Sequence, residues 1–433
     1  MAKVLWLSDA GCTTGFGRVT HAIGERLVED FGHEIHVLAV NYRGDSWGCE
    51  RPGHEHVTPL RLYRPTTVRG DDIYGKTRII EMLAKVEPDV VVTLNDPQIL
   101  LSLLIENQYD EEQILLRWRP LLSYIPDDGT NLPPTWTTML PKMTNVVAMS
   151  KHGQSHYQPS SLVYHGVDTE MFWPISEKPK ETSSGRIVRS KGDAKEAIGI
   201  PRDTFLVGRI DTNSGRKDYP ALVKALWPVM ERHSNVAAWF HCADKAPGVG
   251  LRFQSMLLRN DKVKPDRFYF PDLHNTFEGW DIRDINVLLS AFDVFVSTSR
   301  GEGFGLGLAE ALACGTPVIA QNVSAIPEVV GPGGILLEPD RLFTVPSGED
   351  NWLPDIDAFT DAIERVYQSS GLRRDLGAKG VEHVRKSFSW DVAASKFDEY
   401  ITQLEAYQPP PADVTSTEAS EGEGVAPAAL ATP

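Results

Sequence analysis

Short apolar runs rich in Val, Ile and Leu alternate along this chain with stretches of helical periodicity, and glycine-bearing turns separate them. Strands are predicted at 3–9, at 32–40 after a turn, at 89–94, at the end of 114–126 (LLSYIP) and at 145–150. Helices are predicted at 18–30 and 74–86, and another begins near 151. The same grammar returns after a polar stretch at 175–193, with strands at 204–211, 236–241, 293–297 and 318–320. Helices at 219–231, 285–291, 308–314, 356–368 and 372–388 lie between and after them. Strand–helix alternation of this kind predicts α/β structure with doubly wound parallel sheets. From Gln408 the composition shifts to Pro, Ala, Ser, Thr, Glu and Gly, which offers too little apolar surface to offset ordering entropy.

The densest signal is 293–320, DVFVSTSRGEGFGLGLAEALACGTPVIA, which reads as strand, glycine loop, helix and strand. Glycines let the backbone approach a ligand closely, and a helix start offers free N–H groups and partial positive charge. Glu302 sits in the loop and Glu310 on the helix. Carboxylates beside an anion-binding turn suit hydroxyl groups, so the pair points to a ligand carrying both phosphate and sugar. A second loop, GRIDTNSGRKD at 208–218, follows a strand and carries Arg209, Arg216 and Lys217 to the edge where open α/β sheets bind ligands.

The segments GEGFGLGLAEALACGTPVIA and IPEVVGPGG resemble the donor-site signature of retaining glycosyltransferases of GT-B fold, family four. GHEIHVLAV, HGVDTEMFWP and the terminal segment from Ser389 and Trp390 extend the likeness over most of the chain. The resemblance implies two Rossmann-like doubly wound domains facing across a cleft. These would be an N-terminal, acceptor-side domain at 1–174 and a donor domain at 175–390. A helix at 391–408 would cross back to the first domain, and 409–433 would be a disordered tail. It further implies transfer of a sugar from a nucleotide-diphosphate sugar, with retention of configuration and without a metal or other cofactor.

On that likeness Lys217 and Arg209 are assigned to the diphosphate with Arg216 close behind, Glu302 to sugar hydroxyls and Glu310 to ribose hydroxyls. Gly303, Phe304, Gly305 and Leu306 form the donor turn, and Gly15 and Gly17 stand where family members close glycines over donor and acceptor. Many members carry a histidine after a middle strand of the first domain; YIPDDG at 124–129 lacks one, and Asp127 is the substitute candidate. His21, His152 and His165 are read as structural or exposed. Two other readings are a sugar- or nucleotide-binding protein of this fold without catalysis and a dinucleotide-dependent oxidoreductase. For the latter, the third glycine of the fingerprint is missing after Gly17 and strand two ends in VNY, with no acid for a ribose.

Composition narrows the partners. The 433 residues suffice for two domains, and a net charge of −16 disfavours nucleic acid as a partner. Four scattered cysteines suit a reducing cytoplasm and lack metal-ligand spacing. The acids around Glu302 do not form an octahedral Mg²⁺ set, so no metal cluster is expected. Apolar runs are too short to span a bilayer, which leaves peripheral membrane contact open. The acceptor is not readable.

Overall fold

The structure is a computed structural model that describes residues 1–12, 14–40, 42, 44, 57–65, 74–75, 78–106, 120–243, 253–271 and 279–406. The tail expected from 409 onward and residues 114–119 of the fourth predicted segment lie outside them. The chain divides into two units: residues 1–127, 132–166 and the segment from Trp390 form unit 1, and residues 128–131 and 167–389 form unit 2. The division at Gly166–Val167 precedes the polar stretch at 175–193.

Unit 1 runs β1 (Lys3–Asp9), α1 (Gly15–Glu29), β2 (Glu34–Val40), β3 (Arg61–Tyr63), α2 (Arg78–Val86), β4 (Val90–Leu94), α3 (Pro97–Glu106), β5 (Leu121–Ile125), α4 (Pro134–Met143), β6 (Asn145–Ala148), α5 (Lys151–His156) and β7 (Ser161–Leu162). The strands form one sheet in the order β3-β2-β1-β4-β5-β6-β7, with every pairing parallel. Strands such as VVVTL are buried along their whole length, as a parallel sheet covered on both faces requires. The helix expected at 18–30 begins at Gly15. Thr14 caps it by accepting the Gly17 N–H at 3.1 Å, and a Cβ on Gly17 would lie 2.3 Å from the Cys12 carbonyl oxygen. Gly15 and Gly17 therefore form the first helical turn.

Unit 2 runs β8 (Lys180–Glu181), β9 (Ile187–Val188), α6 (Lys191–Ala197), β10 (Phe205–Ile210), α7 (Tyr219–Arg232), β11 (Val236–His241), α8 (Phe253–Leu257), β12 (Phe268–Tyr269), α9 (Ile282–Ala291), β13 (Val294–Ser297), α10 (Leu306–Ala313), β14 (Val318–Gln321), α11 (Ile326–Val330), β15 (Gly334–Leu337), β16 (Pro339–Thr344), β17 (Asp350–Pro354), α12 (Ile356–Gln368) and α13 (Ser370–Ser387). Its main sheet is also parallel, ordered β12-β11-β10-β13-β14-β15. The strand order reverses between β10 and β13, which open the two predicted site loops. An open sheet of this kind binds ligands at the carboxyl ends of the strands flanking such a switch.

The antiparallel pair β16–β17 had no apolar run to announce it: most of β16 is exposed, Leu342 and Phe343 included. The hairpin holds residues 128–131. Thr130 and Asp350 exchange backbone hydrogen bonds at 2.8 Å each, and Asn131 Nδ2 donates to Asp350 Oδ2 at 2.8 Å.

The last helix, α14 (Trp390–Glu405), belongs to unit 1. Phe397 is fully buried between Trp6, at a ring distance of 5.6 Å, and Tyr124, at 5.1 Å. Truncating such a ring costs about 3–5 kcal/mol. Arg26 Nε to Asp391 Oδ1 (2.7 Å) and His33 Nε2 to Asp398 Oδ1 (2.8 Å) fix the register of α14. Among the described residues, no helix is long and apolar enough to cross a membrane.

Candidate functional site

The loops after β10 and β13 meet in unit 2 and form one cluster of charges. Lys217 Nζ donates to both Glu302 oxygens, at 2.7 and 2.9 Å, and lies 2.8 Å from Asp211 Oδ1. Arg216 reaches Glu302 Oε2 at 3.3 Å, donates to the Gly301 carbonyl and places its Nε 2.9 Å from Asp128 Oδ2. Arg209 stands behind them, fully buried, with its guanidinium 4.5 Å from the centre of the Tyr219 ring. It donates to Thr298 Oγ1 at 2.7 Å, Ser299 Oγ at 3.0 Å and Asp211 Oδ2 at 3.3 Å. Three carboxylates thus face three cations.

The backbone explains why these loops converge. Gly301 has to be glycine, because a Cβ there would fall 1.7 Å from the Asp128 carbonyl oxygen. Asp218, at φ 44°, caps α7 through the Ala221 N–H and accepts from Arg300 Nε at 2.9 Å, while the Arg300 N–H donates to the Arg216 carbonyl at 2.9 Å. Gly305, at φ 102°, is the left-handed residue that starts α10. The Glu302 N–H is held by Ser324 Oγ at 2.8 Å.

Charge state follows from this packing. Burial pushes the Glu302 carboxyl up, but Lys217 and Arg216 more than offset it and hold it at about 2. For Arg216 burial works against the charge, and Asp128, Glu302 and Asp211 more than restore it, so its affinity for its proton is raised. The cluster sits in the loop leading into α10, and the first turn of a helix offers N–H groups with no partner in the helix. That is an arrangement for an anion, with a carboxylate in reach of hydroxyls on the same ligand.

Of the sequence candidates, Glu302, Lys217, Arg216 and Arg209 come together here, Arg209 as a buried support through Asp211. Gly303, Gly305 and Leu306 form the turn into α10. Phe304 points its ring inward, 5.2 Å from that of Phe388. Glu310 is buried on α10 at 4% exposure. Sequence reasoning missed Asp211 and Asp128, the acids that brace Lys217 and Arg216; a signal for the first was its place one residue past β10, two residues after Arg209.

Gly15, Gly17 and Asp127 belong to unit 1. There the structure joins three side chains that sequence spacing did not: Asp127, His152 and His156. His156 Nδ1 hydrogen-bonds Asp127 Oδ2 at 2.7 Å, and this bond raises the affinity of His156 for its proton. His152, read from sequence as structural or exposed, is part of this cluster, and the spacing KHGQSH was the available signal. His21 is buried and bonded to Glu25 and the Ala10 carbonyl, and His165 is buried, where desolvation lowers it to about 3.

Residues 202–369 match the family described as glycosyl transferases group 1. Among known proteins, the chain is 29% identical over 263 residues to the lipopolysaccharide core biosynthesis mannosyltransferase LpsB of Rhizobium meliloti, a match covering 58% of this chain and 63% of that protein. The chain thus spans less than two thirds of that relative's length. Sucrose-phosphate synthase from Thermosynechococcus elongatus superposes with a TM-score of 0.67 at 18% identity, over 93% of this chain and 99% of that one. Anabaena HepE, solved in complex with UDP-glucose, gives 0.65 at 16% identity, over 93% and 100%. At these identities the two structures establish likeness of fold.

Proposed function

We propose that this chain, whose residues 202–369 match the group 1 glycosyl transferases and whose fold is GT-B, moves a sugar from a nucleotide-diphosphate sugar to an acceptor hydroxyl with retention of configuration. The observation that carries this reading is the Glu302–Lys217–Arg216 cluster at the carboxyl ends of β10 and β13. The mannosyltransferase relative and the UDP-glucose complex of HepE, similar in fold, support the donor class.

In this mechanism the bond between the anomeric carbon and the diphosphate oxygen breaks first. Negative charge grows on the leaving phosphate, and preorganised cations that need not reorganise stabilise it. Lys217 and Arg216 supply that charge with the N–H groups at the start of α10, and Arg209 holds Lys217 in place through Asp211. Glu302 accepts hydrogen bonds from sugar hydroxyls, which strengthen as the ring becomes cationic, and Glu310 holds the ribose. The acceptor hydroxyl attacks from the face the diphosphate is leaving. Its proton passes to a departing phosphate oxygen, so no covalent enzyme intermediate is needed. The diphosphate is neutralised by these side chains without a metal ion. Cytoplasmic residence, expected from the scattered cysteines, accords with nucleotide-sugar supply.

The test is incubation with a panel of UDP-, GDP- and ADP-sugars and assay of free nucleoside diphosphate. Release from one donor, slow with water as acceptor and lost in Lys217→Ala, is expected. No release from any donor would overturn the proposal.

A further inference from the structure

Asp127, His152 and His156 in unit 1 have a chemistry that sugar transfer as described above does not use. Asp127 lies just past β5, at the carboxyl edge of the unit 1 sheet, and is 3% exposed. The histidines stand four residues apart on α5, so both rings project from one face. Their rings meet edge to face with centroids 4.7 Å apart. His156 Nδ1 is 2.7 Å from Asp127 Oδ2, His152 Nε2 is 3.9 Å from Oδ1, and the three donor atoms lie within 4.8 Å of one another.

The site is built for this meeting. Gly153 separates the histidines, and a Cβ there would lie 3.3 Å from the Asp127 Cβ and 3.4 Å from Ser150 Oγ. A larger residue would press on both the Asp127 side chain and the Ser150 cap. Ser150 caps α5 by accepting the Gly153 N–H at 3.1 Å, which fixes the turn that carries His152. The carboxylate is buried while the histidine side chains keep 17% and 23% exposure, so an ion has a way in.

We propose that Asp127, His152 and His156 form a binding site for a first-row transition-metal dication of the Zn²⁺ or Co²⁺ class. Two imidazoles and one carboxylate suit these borderline ions, whereas Mg²⁺ and Ca²⁺ take oxygen ligands. Bonds of about 2.0–2.1 Å to tetrahedral zinc set neighbouring donor atoms roughly 3.3 Å apart. The three donor atoms, one per residue, already lie within 4.8 Å of one another, close to that spacing. Three protein ligands leave a position for water or an oxygen of a bound molecule.

The experiment titrates untagged, metal-stripped full-length protein with Co²⁺, read by its visible ligand-field bands, and with Zn²⁺, read by calorimetry. One equivalent is expected to bind, with X-ray absorption of the Zn²⁺ form showing histidine back-scattering from two imidazoles. His152→Ala, His156→Ala and Asp127→Asn are each expected to weaken Zn²⁺ binding at least tenfold, with far-ultraviolet circular dichroism unchanged. The wild-type measurements alone are decisive if a variant does not fold. Absence of a stoichiometric site in wild type, or equal binding by a folded His152→Ala/His156→Ala variant, would overturn the assignment.

Discussion

Replacing Lys217 by Ala separates two jobs that the structure gives to one ammonium. Lys217 Nζ is held by Glu302 at 2.7 and 2.9 Å and by Asp211 at 2.8 Å, with the side chain only 12% exposed. Breaking a buried pair and stranding its partner costs about 3–5 kcal/mol. Here neither carboxylate is stranded: Glu302 keeps Arg216 and Asp211 keeps Arg209, each at 3.3 Å. The stability loss should therefore be smaller, roughly 1–3 kcal/mol, below the full penalty for an isolated charge. Loss of a charge-assisted contact to a phosphate oxygen costs a further ~1.5–3 kcal/mol of binding, or roughly 10- to 150-fold in affinity. Urea unfolding without ligand reads the first term. Calorimetry with UDP and GDP, well below the unfolding midpoint, reads the second. A stability loss with unchanged nucleoside-diphosphate affinity would make Lys217 a structural cation and refute its place in the donor site.

Other outcomes follow from the same cluster. The Glu302 carboxyl is depressed from 4.5 to about 2, so its stabilisation is complete above about pH 4.5 and is lost as pH falls toward 2. Glu302→Gln should therefore flatten the acid limb of stability against pH. Nucleoside-diphosphate affinity should be the same in Mg²⁺ and in EDTA; a large gain with Mg²⁺ on calorimetry would contradict neutralisation by Lys217 and Arg216. With a donor in hand, Glu302→Gln should lower kcat more than it raises KM, because its contacts strengthen in the transition state, whereas Glu310→Gln should mainly raise donor KM. The reverse pattern in steady-state kinetics would exchange the two roles.

The parallel sheets were legible because strands buried on both faces must be apolar throughout: VVVTL and VAAWFH admit few other readings. The glycine turn was legible because Gly301 and Gly305 answer backbone demands, a close approach and a positive φ, that leave a mark in sequence. The hairpin of Pro339–Thr344 and Asp350–Pro354 was not, since its first strand is largely exposed and neither strand carries an apolar period. Nor was the burial of Arg209. A guanidinium reads as a surface group until Tyr219, Thr298 and Ser299 come round it, two of them some ninety residues away. The meeting of Asp127 with His152 and His156 was hidden in the same way, because β5 and α5 become neighbours only through the sheet order.

Hydrogen exchange read by mass spectrometry, with and without a saturating nucleoside diphosphate chosen by calorimetry, tests the location of the donor site most directly. Binding should slow exchange in peptides covering 209–218 and 300–310, where backbone N–H groups and loops close on the diphosphate. Saturating binding that leaves both segments unchanged would contradict the assignment of the Glu302–Lys217–Arg216 cluster as the donor site.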